Sequence, residues 1–361
     1  MMKKLLFFGY TMDMGGAEKV LADFLKVLKP HYEIDLALLK AQGELLSEIP
    51  EGVNIYEMRK GILSYILFRY VPFFRKRKIN KIANSKDYDV AIGFLEGRSA
   101  TWVADIKKSI RKLAWVHNDV NHFDIGIGEN EIRSSYAKMD RIVTVAEQSK
   151  QSFSEKYSFP TEQIDVLYNL IDETSIEQKA KEVVIPNDCF TFVNVGRMRP
   201  QKRQDRLVEI ARRLKDKGYN FKIQIIGNGP EEAKIKQLIQ EKEVSDKVEL
   251  VGLVLNPYPY IKQADCVVVS SEFEGYSIAI KETLFLGKAM ISTDVSGVRE
   301  IFENDKYGIV AKNDTNDLCA KMEMALNGEV NLHAIEEALK SFEGSNDAIV
   351  KQLFSIIEGN S

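Results

Sequence analysis

The feature of this sequence that most constrains its fold is a regular alternation of short apolar runs with helical hydrophobic patterns. Lys4–Tyr10 is typical of a buried strand, and the apolar residues of Ala17–Leu28 recur at helical spacing. Strands that alternate with helices in this way form parallel sheets with helices on both faces. The alternation therefore predicts an α/β fold built from Rossmann-like, doubly wound sheets.

Strands are predicted in both halves of the chain. Those of the first half are Lys4–Tyr10, Tyr32–Lys40, Val90–Leu95, Leu113–His117, Arg141–Ala146 and Ile164–Tyr168. Those of the second half are Phe190–Val195, Phe221–Ile226, Val248–Val251, Cys266–Ser270, Ala289–Thr293 and Tyr307–Val310. Helices are predicted over Arg206–Lys217 and, at the end of the chain, over Ser345–Ile357.

The alternation is interrupted once, near the middle of the chain. Glu173–Asp188 is polar and charged, contains a proline, and is interpreted as a linker. At about 150 residues per domain, a chain of 361 residues also favours two domains. We predict a first domain at residues 1–180, a second at 187–340 and a helical segment at 341–361. Two doubly wound domains that face each other form a central cleft, and such sheets bind ligands at the carboxyl ends of their strands.

Composition and charge exclude several classes of protein. Fifty basic and 53 acidic residues leave a net charge of −3, which argues against a general nucleic-acid binder. Cys189, Cys266 and Cys319 are scattered, so we expect neither a disulfide framework nor a cysteine metal site, and we predict a reducing compartment. No apolar run is long enough for a transmembrane helix. These features predict a cytoplasmic protein.

One stretch of the first half differs from the rest of the chain in charge. Residues 59–86 hold nine basic residues and no acidic one, and bulky aliphatic and aromatic side chains lie between the charges. Such interleaving suits an anionic membrane surface. We therefore predict a peripheral protein on the inner face of the cell membrane. The alternative is a core-packed helix pair with a solvated basic face.

The most specific motif directly follows the predicted strand Cys266–Ser270. Ser277 is predicted to be the N-cap of a helix that ends at Gly287, and Gly275 lets the backbone approach a ligand closely. A helix N-terminus attracts phosphate through its free N–H groups and its dipole.

Two carboxylates bracket this anion-binding turn. Glu274 lies before the predicted helix and Glu282 lies inside it. Each carboxylate can accept hydrogen bonds from hydroxyl groups. The motif thus predicts a ligand that is both phosphorylated and rich in hydroxyls, whereas two glutamates alone would indicate only a surface loop and an amphipathic helix.

Two glutamates separated by seven residues resemble the hallmark of the retaining glycosyltransferases of family four, also called group 1, which have the GT-B fold. The resemblance implies that Glu274 binds the hydroxyls of a donor sugar and that Glu282 binds the ribose of its nucleotide. It further implies that the turn between them contacts the donor and that the last two of its residues stabilise the departing diphosphate with their amides. The turn consists of Gly275, Tyr276, Ser277 and Ile278.

Other segments of the second half resemble motifs of the same family. Asn194–Arg203 is similar to a glycine, arginine and lysine signature, which implies that Arg197 and Lys202 clamp the diphosphate. The turn at Gly227 is similar to a glycine-rich turn of the family. The backbone near Leu253 is implied to hold the nucleotide base.

The first half resembles the family more loosely. Gly15 and Gly16 are similar to a glycine pair whose backbone lies near the donor, and the alternative is a turn with a local role. His117 matches a histidine that donates a hydrogen bond to the donor sugar. His117 and His122 are a poor metal pair, and Asp87–Asp89 is interpreted as structural, so no metal is expected.

The resemblance implies a retaining glycosyltransferase that moves a hexose or N-acetylhexosamine from a nucleotide-diphosphate sugar, a UDP-sugar, to a saccharide acceptor. The basic stretch favours a lipid-linked acceptor, as in the synthesis of cell-surface polysaccharide. No cofactor is expected besides the nucleotide-sugar co-substrate. The last helix is implied to cross back onto the first domain.

Three alternatives remain open at this point. One is a non-catalytic partner subunit of the same fold, and the second is a sugar-nucleotide epimerase. The third is an NAD-dependent dehydrogenase, which is disfavoured because the turn with Gly227 and Gly229 lacks the third glycine of a dinucleotide fingerprint.

Overall fold

A computed structural model describes residues 2–60, 68, 71–121, 125–303, 305–340 and 346–359. The chain divides into two compact units. The first comprises Met1–Leu170 and Ser345–Ser361, and the second comprises Ile171–Gly344. Each unit is built around one parallel sheet, which confirms the α/β fold predicted from the alternation.

The first unit contains a seven-stranded sheet in the order β3-β2-β1-β4-β5-β6-β7. Its strands are β1 (Lys4–Gly9), β2 (Glu33–Leu38), β3 (Asn54–Glu57), β4 (Val90–Gly93), β5 (Arg111–Val116), β6 (Arg141–Thr144) and β7 (Ile164–Val166). The order places β4 between β1 and β5, so the carboxyl ends of these three strands are neighbours.

The second unit contains a six-stranded sheet in the order β10-β9-β8-β11-β12-β13. Its strands are β8 (Phe190–Val195), β9 (Phe221–Ile226), β10 (Val248–Gly252), β11 (Cys266–Val269), β12 (Met290–Thr293) and β13 (Ile309–Ala311). Strand β8 pairs in parallel with β11, with Phe192 opposite Cys266. The loops that follow β8 and β11 therefore start side by side.

Helices follow most of the strands. In chain order the described helices are α1 (Gly16–Leu28), α2 (Pro72–Ala83), α3 (Arg98–Ala104), α4 (Glu129–Tyr136), α5 (Glu147–Tyr157), α6 (Glu173–Lys179), α7 (Gln204–Asp216), α8 (Glu232–Glu241), α9 (Tyr258–Gln263), α10 (Ile278–Phe285), α11 (Val298–Ile301), α12 (Thr315–Leu326), α13 (Leu332–Leu339) and α14 (Asn346–Glu358). Short 3₁₀ turns occur at Glu44–Glu48, Thr161–Gln163 and Pro200–Lys202.

The core of the first unit forms where helices cover the central strands. The apolar residues 5–8 of β1 are fully buried because a central parallel strand is covered on both faces. Phe24 of α1 lies edge-on to Phe94, with ring centroids 5.6 Å apart, and Phe94 stacks on Trp115 at 5.7 Å. This packing supports the carboxyl ends of β4 and β5, because Phe94 directly follows β4 and Trp115 lies near the end of β5.

The predicted boundary between the halves needs correction. The first unit ends at Leu170, before the predicted residue 180, and Glu173–Lys179 is the helix α6 instead of a linker. The Asp172 side chain caps this helix by accepting a hydrogen bond from the Ser175 amide at 3.0 Å. Ile176 is fully buried in the core of the second unit. A single buried residue thus anchors a segment whose composition is that of a linker.

The C-terminal helix α14 belongs to the first unit. Phe354 stacks on Tyr32 with ring centroids 5.7 Å apart, and Gln352 donates a hydrogen bond to the Val166 carbonyl. Glu358 pairs with Lys3 and accepts a hydrogen bond from the Tyr32 hydroxyl, and both contacts lower the pKa of the carboxyl group. The last helix is therefore held by apolar and by charged contacts.

Candidate active site

The segment between β11 and α10 carries the motif with the two glutamates. The helix begins after Ser277, which occupies the N-cap position as predicted, although its side chain makes no capping hydrogen bond. Ser277 and Ile278 are both largely buried, and Tyr276 packs against the core of the second unit. Gly287 follows the end of the helix with a φ of +69°, in the left-handed region that favours glycine.

The carboxylate of Glu274 is the centre of a buried cluster. Its Oε1 atom accepts hydrogen bonds from the Ser271 hydroxyl at 2.6 Å and from the Lys202 ammonium at 2.5 Å. Glu274 is buried, whereas Lys202 is partly exposed. The fold thus brings together a carboxylate and a cation that the sequence assigned to separate motifs.

Backbone contacts hold the lysine loop beside the glutamate loop. The Ser270 hydroxyl donates to the Lys202 carbonyl at 2.8 Å, and the Glu272 amide donates to the Gln201 carbonyl at 2.7 Å. These bonds form because β8 and β11 are adjacent, so their loops leave the same edge of the sheet. Arg197 lies on the same loop as Lys202 and is partly exposed.

The backbone of Gly227 packs against the start of the loop that carries Arg197 and Lys202. Its φ is +130°, and a Cβ atom there would lie 2.2 Å from the Gly196 carbonyl oxygen. The Gly196 amide in turn donates to the Ile226 carbonyl at 2.9 Å. Gly227 is therefore required for the close approach of two backbones, and this contact is the role that the structure gives it.

The second carboxylate of the motif has a partner that the sequence did not indicate. Glu282 is buried in α10, and its Oε1 atom accepts a hydrogen bond from the Tyr258 hydroxyl at 2.9 Å. Tyr258 is the first residue of α9. Tyr258 belongs to no motif that the sequence analysis identified, so only the contact reveals its polar role. Leu253, predicted near the base, is 42% exposed.

The glycine pair of the first unit lies at the start of α1. Gly15 is the N-cap and Gly16 is the first helical residue. A Cβ atom on Gly15 would lie 2.2 Å from a carboxylate oxygen of Glu18, whereas one on Gly16 would meet no heavy atom within 4 Å. The Glu18 carboxylate ends a flexible side chain that can move, and Gly15 has an extended φ of −145°, so neither position has a local reason to be glycine.

His117 lies just after β5 and is buried. Its Nε2 atom is 2.8 Å from the Phe94 carbonyl oxygen, which can only accept, so Nε2 carries the proton. Burial lowers the pKa of the imidazole, which favours the neutral ring. Nδ1 is then an acceptor, and the predicted hydrogen bond from His117 to a donor sugar needs correction: in this geometry the free ring nitrogen accepts.

A buried glutamate beside His117 was not predicted. Glu96 accepts a hydrogen bond from the His117 backbone amide at 2.9 Å and another from the Asn118 side-chain amide. Its position just after β4 is the signal that sequence reasoning could have used, because polar residues at the carboxyl ends of parallel strands tend to face ligands. Glu96 fixes the turn that follows β5.

The basic stretch is only partly described. Arg75 and Lys76 pair with Asp105, and Lys78 donates to the Met58 carbonyl. The prediction for residues 61–67, 69 and 70 lies outside the described residues. On the exposed face of α2, Phe73 is 75% exposed and is followed at helical spacing by Arg77 and Lys81.

Within the described ranges, no three His, Cys, Asp or Glu side chains lie together in a way that could hold a metal ion. His122 lies outside those ranges. None of the described helices combines the length and the apolar character needed to cross a membrane.

The fold and the site define a class of protein. A parallel sheet carries at its carboxyl edge a cation loop, a buried carboxylate and a helix N-terminus, which together suit a phosphorylated, hydroxyl-rich ligand. A second doubly wound unit accompanies it in the same chain.

Comparison with known proteins identifies the family. Residues 175–342 match the family described as glycosyl transferases group 1, and residues 14–175 match Glycosyltransferase Family 4. The N-acetylgalactosamine-N,N'-diacetylbacillosaminyl-diphospho-undecaprenol 4-alpha-N-acetylgalactosaminyltransferase of Campylobacter jejuni is 30% identical over 329 residues, which cover 88% of each chain. The chain therefore belongs to the group 1 glycosyltransferases of family 4, as its motifs predicted.

Solved structures agree on the fold. Anabaena Alr3699/HepE, solved in complex with UDP and glucose, matches over 99% of each chain with a TM-score of 0.80 at 17% identity. Sucrose-phosphate synthase from Thermosynechococcus elongatus matches 99% of this chain and 98% of its own with a TM-score of 0.81 at 15% identity. The fold is GT-B, and the protein is a glycosyltransferase.

Proposed function

We propose that this glycosyltransferase is a retaining enzyme that moves a hexose or N-acetylhexosamine from a UDP-sugar to a hydroxyl of a saccharide acceptor. The observation that carries the proposal is the Lys202–Glu274 contact beside the N-terminus of α10. A cation for the diphosphate and a carboxylate for sugar hydroxyls lie within one hydrogen bond of each other. The short distance between the Lys202 ammonium and the Glu274 carboxylate suits a nucleotide sugar, in which the diphosphate and the sugar are directly bonded.

Each residue then has a defined task. The Glu274 carboxylate accepts hydrogen bonds from the hydroxyls of the donor sugar, and Glu282 does the same for the ribose. Lys202 leaves Glu274 for the diphosphate, where Arg197 and the amides of Ser277 and Ile278 add further positive potential. Because the leaving group gains negative charge as its bond to the sugar breaks, these groups act most strongly in the transition state.

Retention needs no side-chain nucleophile in this scheme. The acceptor hydroxyl attacks the anomeric carbon from the face that the diphosphate leaves, and an oxygen of the diphosphate takes the hydroxyl proton. The protein contributes placement and charge stabilisation. His117, with a neutral ring and Nδ1 as acceptor, can receive a hydrogen bond from a sugar hydroxyl. No metal enters the scheme.

The relatives support the donor and the acceptor of this proposal. Anabaena Alr3699/HepE was solved with UDP and glucose, which favours a UDP-sugar here. The name of the Campylobacter jejuni relative includes a diphospho-undecaprenol, a lipid diphosphate. We therefore propose a lipid-linked saccharide as the acceptor, in the synthesis of a cell-surface glycan.

Nucleotide binding and product stereochemistry test the proposal. We expect UDP to raise the melting temperature of the purified protein, and one UDP-hexose or UDP-N-acetylhexosamine to raise it further, because a ligand of the native state stabilises it by mass action. With that donor and a polyprenyl-diphosphate-linked saccharide, NMR should show an α-anomeric product. A shift with GDP alone would contradict the UDP donor, and a β-anomeric product would contradict retention.

We also propose that the protein docks on the inner face of an anionic membrane through the exposed face of α2. Phe73, Arg77 and Lys81 follow one another at a spacing of four residues on this face, while Ile79 and Ile82 are buried on the other. An exposed aromatic side chain flanked by cations suits the interface of an anionic bilayer. Docking there would bring the enzyme to a lipid-linked acceptor.

Vesicle sedimentation at low salt measures this docking. We expect more protein to sediment with vesicles that contain phosphatidylglycerol than with phosphatidylcholine alone, and the charge-reversed variant Arg77→Glu to lose most of that difference. Lys236→Glu reverses an exposed helical charge of the second unit and serves as the matched control. Equal sedimentation with both lipids, or none with either, counts against the docking surface.

A further inference from the structure

We propose that Tyr258 is a positioning residue that orients Glu282 for the ribose of the donor. The inference rests on the proposed function, because it assigns a second residue to the ribose site. It follows from one buried hydrogen bond, in which the Tyr258 hydroxyl donates to Glu282 Oε1 at 2.9 Å.

Both partners of this bond are withdrawn from water. Tyr258 is 4% exposed and Glu282 is 5% exposed. A hydrogen bond in such surroundings is stronger than the same bond in water, because little water competes for its donor and its acceptor. The hydrogen bond from the phenol therefore restricts the carboxylate to one orientation.

The tyrosine is itself held at its backbone. Its amide donates to the Asn256 side-chain carbonyl at 3.2 Å, and the Asn256 side-chain amide donates to the Lys179 carbonyl and to Glu182, both at 2.8 Å. The ring packs in the apolar core of the second unit together with Ile261 of the same helix. The backbone and the ring of Tyr258 are therefore held in place, so its hydroxyl contacts Glu282 from a fixed position.

Orientation matters because of what a ribose presents. Its 2′ and 3′ hydroxyls are adjacent donors, so a carboxylate binds both well only when its plane is set in advance. Tyr258 binds Oε1 from the protein side, and a carboxylate can accept hydrogen bonds from several donors at once, so the contact is compatible with a bound sugar. Without the phenol, the carboxylate loses a hydrogen-bond donor and is free to rotate. Ribose binding must then order the side chain, and the entropy lost in doing so weakens the binding.

The test compares the affinities of two nucleotides that differ only in the ribose hydroxyls. Isothermal titration of the full chain with UDP and with 2′,3′-dideoxy-UDP measures how strongly the protein prefers the ribose. We expect Tyr258→Phe to weaken UDP binding about tenfold, the size expected for one hydrogen bond, and to leave the affinity for dideoxy-UDP unchanged. A purely structural role of the hydroxyl would weaken both nucleotides equally.

Two further variants complete the test. Tyr260→Phe removes a hydroxyl from the same helix without touching the Tyr258–Glu282 bond, and it should bind both nucleotides like the wild type. Glu282→Gln should lose the preference for UDP, and adding Tyr258→Phe to it should cause little further loss, because the two residues act as one unit. Melting temperatures of all variants show that each is folded.

The possible failures point to different conclusions. If Glu282→Gln loses the ribose preference but Tyr258→Phe keeps it, the positioning role is overturned and the ribose site stands. If the wild type binds UDP without preferring it over dideoxy-UDP, the ribose role of Glu282 is overturned together with the inference. If the wild type does not bind UDP, the proposed donor itself is wrong.

Discussion

Glu274→Ala is expected to abolish sugar transfer, by at least about a thousandfold, while the protein stays folded. The carboxylate sits where Lys202 and Ser271 converge, so its loss removes the group that holds the lysine in place and, in the proposed mechanism, the acceptor for the donor sugar's hydroxyls. Lys202 is partly exposed and can remain solvated without its partner, which limits the cost to stability. Transfer rates at saturating donor and a thermal melt of the same sample measure the two effects separately.

The neighbouring glutamate provides the matched control for this variant. Glu272 lies on the same loop but is exposed, and its carboxylate forms an exposed ion pair with Arg203 at 3.4 Å. Glu272→Ala should therefore transfer sugar at close to the wild-type rate. Comparable rates for Glu274→Ala and Glu272→Ala would show that the buried carboxylate takes no part in the reaction.

Lys202→Ala should raise the barrier to transfer by about 2–4 kcal/mol, by comparison with the loss of one preorganised donor to a developing oxyanion. In the proposed mechanism, the ammonium that Glu274 holds in the free enzyme moves to the diphosphate, where negative charge builds up as the sugar departs. The effect should appear mainly in kcat, because the charge is largest in the transition state. Lys234→Ala, which removes an exposed cation from α8, is the control.

The binding of fragments separates this role from a structural one. Lys202→Ala should weaken the binding of UDP but not of uridine, since only UDP carries the diphosphate. Because Lys202 and Glu274 are in contact, the effects of replacing both should not add. Unchanged turnover in Lys202→Ala would eliminate the proposed clamp.

Much of the fold was predictable because its signals are local. A buried parallel strand such as Lys4–Gly9 needs a run of apolar residues, and that run is visible without knowledge of its neighbours. The edge strand Asn54–Glu57 was missed because half of it is exposed and its residues do not alternate. The helix Glu173–Lys179 was taken for a linker because one buried residue, Ile176, is too weak a signal among charges.

The candidate site was predictable as a set of residues but not as an arrangement. Glu274 and Lys202 each stand in a motif with a recognisable spacing. Their hydrogen bond depends on the pairing of β8 with β11, which no local pattern encodes. Tyr258 carries no motif, and its partner Glu282 is distant in the sequence.

The sequence by itself determined the α/β class, the family and the residue types of the candidate site, because strand burial, helix starts and glycine turns are short-range requirements. Only the tertiary structure decided which polar atoms meet. It joined Lys202 to Glu274 and Tyr258 to Glu282, and it made the free nitrogen of His117 an acceptor by placing Nε2 against the Phe94 carbonyl. Hydrogen-bond direction and charge pairing depend on atoms that folding brings together from distant positions, and residue identity alone does not contain those distances.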